Sequence, residues 1–166
     1  MELRTLAEGL QFPEGPVAMA DGSVLLVEIA AGTLTRIAAD GTKTVAARTG
    51  GGPNGAAVGP DRKGYVVNNG GFEWHRENGR IRPLTQARDY SGGRLEQIDL
   101  ATGAVEVLYR ACGDIPLKGP NDLVIDKQGG IYSPTSASGG RATWISARFI
   151  TSGPTAPRSS RSPIRW

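Results

Sequence analysis

A repeated sequence pattern constrains the fold of this chain more than any other feature. Three segments share a Pro-containing lead, a polar residue, a short apolar run, an Asp/Gly turn and a second apolar run. Their polar residues are Glu14, Asn54 and Asn121. Short apolar runs joined by Gly and Asp turns are typical of β-hairpins. The pattern therefore predicts an all-β protein that is built from repeated hairpins.

A second repeated half-unit completes the predicted repeat. Residues 32–45 and 93–108 each place apolar side chains in alternation with polar ones on both sides of a turn. This alternation is typical of a half-buried hairpin. Together the two half-units make four short strands over about 40 residues, which is the period of a β-propeller blade. The sequence thus predicts two complete blades and part of a third, with residues 70–92 inserted as a loop.

Charge and composition exclude several classes of protein. Residues 133–166 contain arginines but no Asp, Glu or Lys, so the net charge of +3 comes from this segment. A composition break differs from the mixed-sign basic face of a nucleic-acid-binding domain, and we expect no nucleic-acid partner. The single cysteine, Cys112, excludes an internal disulfide. No apolar run has the length of a membrane helix and no secretory signal is visible, which favours a cytoplasmic location without membrane partners.

Four motifs that follow one another at blade spacing resemble the senescence marker protein/gluconolactonase family, to which regucalcin belongs. They are Phe-Pro-Glu-Gly-Pro-Val at 12–17, Gly-Pro-Asn-Gly at 52–55, Asn-Asn-Gly-Gly-Phe-Glu-Trp at 68–74 and Gly-Pro-Asn-Asp-Leu-Val at 119–124. The resemblance covers residues 1–132 and is specific, because several motifs occur in order. It implies a six-bladed β-propeller with one divalent metal in the central channel, of which this chain contains about two and a half blades.

The family pattern stops after Tyr132. A strand of the type Phe-Thr-Asp is expected there, and the sequence instead continues with Ser-Pro-Thr. Back-translation with one nucleotide restored before the codon of Ser133 can read Phe-Thr-Asp-Leu-Gly-Lys. We therefore predict a partial propeller over residues 1–132 and a disordered, out-of-frame tail over residues 133–166. A natural Ser/Arg/Pro-rich disordered tail is the alternative.

The resemblance implies metal-dependent hydrolysis of a small lactone, and it suggests site residues. Glu14 matches the family's metal-binding glutamate, and Asn121 matches the asparagine that lies near metal and substrate. Asn54 is a weaker candidate for contact with metal or substrate. Oxygen ligands of this kind suit calcium, with zinc or magnesium also possible. The alternative interpretation is a turn carboxylate at Glu14 and Asx turns at the two asparagines.

No residue of this chain is assigned a catalytic role. The resemblance implies that the family's aspartate, a metal ligand and proposed base, belongs to blades that are missing here. We therefore expect a truncated, inactive lactone hydrolase. Its exposed blade edges predict self-association. The alternatives are a non-catalytic propeller fragment that acts as a binding module and a strictosidine-synthase-like propeller. Since His75 is the only histidine, a His-centred triad is excluded.

Overall fold

All regular structure in the described part of the chain is β-strand, which confirms the predicted all-β class. The computed structural model describes residues 3–112 and 114–134, and the backbone of residues 135–136 and 142–148. The strands are β1 (Pro13–Ala18), β2 (Val24–Glu28), β3 (Thr33–Ile37), β4 (Lys43–Arg48), β5 (Pro53–Val58), β6 (Gly64–Asn68), β7 (Phe72–Glu77), β8 (Arg80–Gln86), β9 (Arg94–Ile98), β10 (Val105–Tyr109), β11 (Ala111–Cys112), β12 (Ile115–Pro116), β13 (Val124–Ile125), β14 (Gly130–Ser136) and β15 (Ala142–Arg148). None of the described residues lies in a helix long and apolar enough to cross a membrane.

The first two sheets are the two predicted blades. Blade 1 contains β1, β2, β3 and β4 in chain order, and blade 2 contains β5, β6, β9 and β10, all antiparallel. Leu25 and Leu34 of blade 1 pack against Val66 and Ile98 of blade 2 in one buried cluster. Full burial of each such side chain contributes about 1.5–3 kcal/mol, so the blades hold each other face to face.

The predicted Asp/Gly turns recur in all three repeats. Asp21, Asp61 and Asp126 each accept a hydrogen bond from the backbone N–H two residues later, at 3.0, 3.2 and 2.9 Å. A short carboxylate that bonds the backbone in this way closes a turn without help from the rest of the fold. These aspartates fix the connection from the first to the second strand of each sheet.

The third sheet differs from the prediction in its C-terminal part. It contains β13, β14 and β15, and it packs on blade 2 through Leu123 and Ile131, which contact Tyr65 and Leu95. Residues 133–136 pair with residues 142–145 as antiparallel strands, although the sequence predicted a disordered tail from residue 133 on. Backbone hydrogen bonding requires no particular side chain, so a segment without apolar alternation can still form a ladder. The remainder of the predicted tail, residues 137–141 and 149–166, lies outside the described residues.

The insertion in blade 2 is a hairpin, and the prediction of a loop at residues 70–92 is wrong for most of it. Strands β7 and β8 pair antiparallel around a two-residue turn at Asn78 and Gly79. Both turn residues have positive φ, at 50° and 73°. A type I′ turn needs positive φ at both central positions, and Asn-Gly is its preferred sequence. That dipeptide was the signal that the sequence analysis missed.

Candidate functional site

The three candidate residues occupy one repeated position at the start of successive inner strands. Glu14 is the second residue of β1, Asn54 is the second residue of β5, and Asn121 comes three residues before β13. These strands are the first strands of their respective sheets. The repeat therefore carries all three polar side chains to the same end of the array.

Glycines next to the candidate residues let the inner strands approach closely. A Cβ on Gly15 would lie 2.6 Å from the backbone nitrogen of Ala56, and one on Gly55 would lie 2.6 Å from the Cα of Asp122. Neither position tolerates a side chain without movement of the backbone, and Gly15 also has a φ of 54°. The residue after Glu14 thus touches β5, and the residue after Asn54 touches the segment that contains Asn121.

The structure brings two of the candidates into direct contact. The side-chain amide of Asn54 donates a hydrogen bond from Nδ2 to Oδ1 of Asn121 over 2.9 Å, at an exposed location. Glu14 is also exposed, and its carboxylate makes no hydrogen bond or ion pair with any described residue. The Glu14 carboxylate, which has no partner in the described part of the chain, is therefore open to a ligand from solvent.

The donor chemistry of these residues fits part of a site for a hard cation. Calcium takes six to eight oxygen ligands, from carboxylates, amides, backbone carbonyls and water. Glu14 supplies one carboxylate, whereas Asn54 and Asn121 supply neutral amide oxygens, one of which already accepts a hydrogen bond. The described residues contain no group of three or more His, Cys, Asp or Glu side chains that could hold a metal ion. The residues present would therefore supply only a fraction of a complete ligand set.

The inserted hairpin borders the same end of the molecule. The ring of Trp74 lies 5.2 Å from that of Phe12 and 5.8 Å from that of Phe72, measured between centroids. Arg76 on the same strand donates a hydrogen bond to Oε1 of Gln11 over 2.7 Å. Phe12 lies two residues before Glu14 in the chain. The hairpin thus packs on the segment that leads into β1, where Trp74 and Phe12 form an aromatic wall.

His75 takes no part in this wall. It lies on β7 between Trp74 and Arg76, and its Nε2 is 3.4 Å from the carboxylate of Glu77. Both side chains are largely exposed, at 41% and 62%. The imidazole of His75 is thus partly exposed to solvent and contacts the carboxylate of Glu77.

Asn68 holds the segments around the site in place, and the sequence analysis did not identify this role. Its Oδ1 accepts hydrogen bonds from the backbone N–H groups of Gly52 and Gly70, at 2.9 and 3.0 Å, and the side chain is fully buried. It thereby connects the lead into Asn54 with the base of the inserted hairpin. A polar residue at the end of the apolar run of β6 was the available signal, since buried amides are kept only where they are bonded.

Behind Asn68 lies a buried ion pair. Arg94 donates from Nε to Oε1 of Glu96 over 2.6 Å, and Asn68 donates to the other carboxylate oxygen over 3.3 Å. Burial raises the pKa of Glu96, and the hydrogen bond and positive charge of Arg94 offset part of that rise. Because an unpaired charge at this depth is costly, the pair must stay together in the folded protein.

Comparison with known proteins gives a family match and two informative structures. The sequence model described as the SMP-30/Gluconolactonase/LRE-like region matches residues 12–147. A gluconolactonase from Xanthomonas campestris has a TM-score of 0.65 at 18% identity, over 95% of this chain and 50% of the gluconolactonase. A second structure, of a protein described as a candidate gluconolactonase, has a TM-score of 0.60 at 17% identity. The match covers 93% of this chain and 50% of the other protein.

These structural similarities concern the fold alone, because the identities are low. The chain spans about half the length of both gluconolactonase structures. No curated protein matches the sequence.

Proposed function

Because this chain belongs to the SMP-30/gluconolactonase/LRE-like family, we propose that it forms part of a metal-dependent sugar-lactone hydrolase. The family that the motifs indicated is thus confirmed, and its match extends past Tyr132 to residue 147. One structural observation indicates where in the chain the site of this activity would lie. The carboxylate of Glu14, which has no partner among the described residues, lies at the same end of the array as the bonded pair of Asn54 and Asn121.

Each of these side chains has a role that its chemistry supports. A divalent cation held at Glu14 would polarise the lactone carbonyl and lower the pKa of a bound water. Glu14 would contribute the negative charge of the site, and the amides of Asn54 and Asn121 would bond to metal or to sugar hydroxyls. The rings of Phe12 and Trp74 offer an apolar wall against which the C–H face of a sugar ring can lie.

The 166 residues by themselves are proposed to be inactive. A cation held by one carboxylate and two amides keeps mostly water ligands and binds weakly, since affinity follows ligand charge and site rigidity. We also assign no residue of this chain as a general base, a role worth typically 10²–10⁴-fold in rate. We expect no hydrolysis of gluconolactone above the uncatalysed rate with calcium, zinc or magnesium added. Metal-dependent hydrolysis by the purified chain would contradict this.

The out-of-frame origin of residues 133–166 stays a prediction, and the DNA tests it directly. Insertion of one nucleotide after the codon of Tyr132, together with the downstream sequence, should give a continuous reading frame for further blades. We expect the resulting longer protein to hydrolyse gluconolactone in the presence of a divalent metal. A stop codon shortly after the restored frame would rule the frameshift out.

The role of Glu14 is tested in that longer protein. The Glu14→Gln variant should abolish metal-dependent hydrolysis and weaken metal binding at least about tenfold, because the amide removes the charge that attracts the cation. The matched control is Glu106→Gln on β10, an exposed carboxylate on the outer strand of blade 2. If the Glu14→Gln variant works at the unmutated rate, Glu14 is only a turn residue.

A further inference from the structure

A second concave region lies at the outer part of the junction between the two complete blades. It is a cleft of about 410 Å³. One wall is the end of β4 and the connection that follows it, with Arg48 and Thr49. The other wall is formed by β9 with Arg94, by β10, and by Arg110, which follows β10 directly. Clefts of roughly 300–1,000 Å³ are the usual size for small-molecule sites. None of its lining residues belongs to the group of Glu14, Asn54 and Asn121.

Three arginines from both blades converge on this cleft. Arg48 and Arg110 are exposed, and neither side chain makes a hydrogen bond or ion pair within the described ranges. The side chain of Arg94 is largely buried and is held by Glu96 and by the backbone oxygen of Thr49, at 2.6 and 3.0 Å. Glu96 is bonded to Arg94, and the positive charge of Arg110 also acts on it. The N–H groups of the two rim arginines make no hydrogen bond among the described residues, so they can still donate to an anion.

The rest of the lining suits hydroxyl groups and carbon atoms. Asp89 and Ser91, which follow the inserted hairpin, present an acceptor and a hydroxyl to the cleft. Val105 and Val107 of β10 are exposed to 36% and 40% and supply an apolar surface. The negative charge of Asp89 would repel a second negative charge on the ligand, so the lining favours a ligand with a single anionic group.

We propose that this cleft binds a small polyhydroxylated monocarboxylate, a compound of the sugar-acid class. Arg48 and Arg110 hold the carboxylate, because the guanidinium group matches carboxylate geometry through paired N–H donors. Asp89 and Ser91 bond to the hydroxyl groups of the carbon chain, and Val105 lies against its C–H groups. The site does not depend on the proposed hydrolysis, since it shares no residue with it.

Titration calorimetry of the 166-residue chain tests this with three probes. Gluconate should bind, and its affinity should fall as ionic strength rises, because the rim arginines are exposed to screening. Sorbitol, which has the polyol chain without the charge, should not bind measurably. Inorganic phosphate should bind more weakly than gluconate. No heat of binding with millimolar gluconate, or equal affinity for gluconate and phosphate, would overturn the proposal.

Two rim variants and a matched control locate the site. Arg48→Gln and Arg110→Gln should each weaken gluconate binding at least about tenfold, since each removes one charge-assisted contact. Both residues are exposed, so the folded structure should survive the change. Arg82→Gln on the inserted hairpin, an exposed arginine outside the cleft, should change the affinity less than about twofold. Unchanged affinity in the variant that carries both rim substitutions would overturn the assignment.

Discussion

Blade 1 and blade 2 have the same buried face but stabilise it with different polar chemistry. Three positions have the same register in both sheets and can be compared directly. They are the last residue of the second strand and the first and third residues of the third strand. In blade 1 they are Glu28, Thr33 and Thr35, and in blade 2 they are Asn68, Arg94 and Glu96. All six are at most 8% exposed. The same backbone arrangement is therefore compatible with two different sets of buried polar side chains.

The difference follows from the segment that covers each face. In blade 1, Glu28 accepts a hydrogen bond from the backbone N–H of Gln11 over 2.6 Å and one from the hydroxyl of Thr35 over 2.7 Å. An ionised carboxylate only accepts, and both of these partners donate. The N-terminal segment that contains Gln11 thus covers this face of blade 1, as blade 1 covers the corresponding face of blade 2.

In blade 2 the covering segment presents both kinds of backbone group. Asn68 accepts from the N–H of Gly52 and donates to the oxygen of Gly50 over 2.8 Å. An amide side chain can do both, whereas an ionised carboxylate can only accept, so asparagine suits this position better than the glutamate of blade 1. The buried polar residues of each blade therefore match the hydrogen-bonding groups of whatever lies on that face.

The largest expected effect is the loss of the ion pair in blade 2. Arg94→Met should lower the free energy of unfolding by about 3–5 kcal/mol, because it leaves the carboxylate of Glu96 buried without a charged partner. Denaturant unfolding followed by tryptophan fluorescence measures this change in the free energy of unfolding. Adding Glu96→Leu to Arg94→Met should recover most of the loss. A cost below about 1 kcal/mol would mean that solvent reaches Glu96.

Above pH 10, blade 2 should make the stability depend on pH through a buried tyrosine, whereas blade 1 contains no tyrosine. Burial, with the nearby Asp61, raises the pKa of Tyr65 to about 12, whereas Leu25 stands at the corresponding position of blade 1. Since the folded pKa lies above the unfolded value, its stabilising contribution is complete below pH 10 and is lost as the pH rises towards 12. The free energy of unfolding should fall by about 2–3 kcal/mol over that range.

The control for this pH dependence is Tyr65→Phe, which lacks the titrating hydroxyl. Its unfolding free energy should fall less steeply above pH 10 than that of the unmutated chain. Parallel curves for the two proteins would show that Tyr65 ionises normally. Absorbance of tyrosinate gives an independent measure of the same titration.

Blade 1 should respond more mildly to loss of its own polar contact. Thr35→Val removes the hydroxyl that donates to Glu28, and we expect a cost of about 2 kcal/mol. The carboxylate keeps the N–H of Gln11, so its charge is not left alone. Thr44→Val on β4, at an exposed position, is the matched control and should be nearly neutral. A cost in Thr35→Val as large as that of Arg94→Met would mean that the two faces are equally sensitive.

The smallest effect belongs to the hairpin that only blade 2 carries. Asn78→Ala places a residue without a local acceptor at a φ of 50° and should cost about 1 kcal/mol. The loss should be local, so hydrogen exchange should quicken in β7 and β8 and stay unchanged in β2 and β3. Equal acceleration in both blades would show that the hairpin is coupled to the whole array.

Local chemistry made much of this fold predictable. The aspartates of the repeated turns bond the backbone two residues away. The alternation in β9 correctly predicted a strand, but not its burial, because Leu95 on one face and Glu96 on the other are both buried. The Asn-Gly turn at Asn78 is equally local, and the hairpin could have been predicted from it. The candidate site was predictable as far as Glu14, Asn54 and Asn121, because each stands at the same place in its repeat.

The contacts between repeats were not predictable in the same way. The hydrogen bond of Asn54 to Asn121 joins residues 67 positions apart in the chain. The role of Asn68 depends on Gly52 and Gly70, which come together only when β5 lies beside β6. The same holds for the cleft between Arg48 and Arg110, whose walls belong to different blades.

The sequence by itself determined the repeat, the strand alternation, the turns and the family, because each rests on interactions among residues close together in the chain. Only the tertiary structure decided which segment covers each blade, and with it the hydrogen bonds of Glu28 with Gln11 and of Asn68 with Gly50 and Gly52. A buried polar group must be bonded, but its partner is whatever the packing brings within reach. The sequence shows which polar side chains need a partner. The packing of blade 1 on blade 2, and of the N-terminal segment on blade 1, supplies those partners.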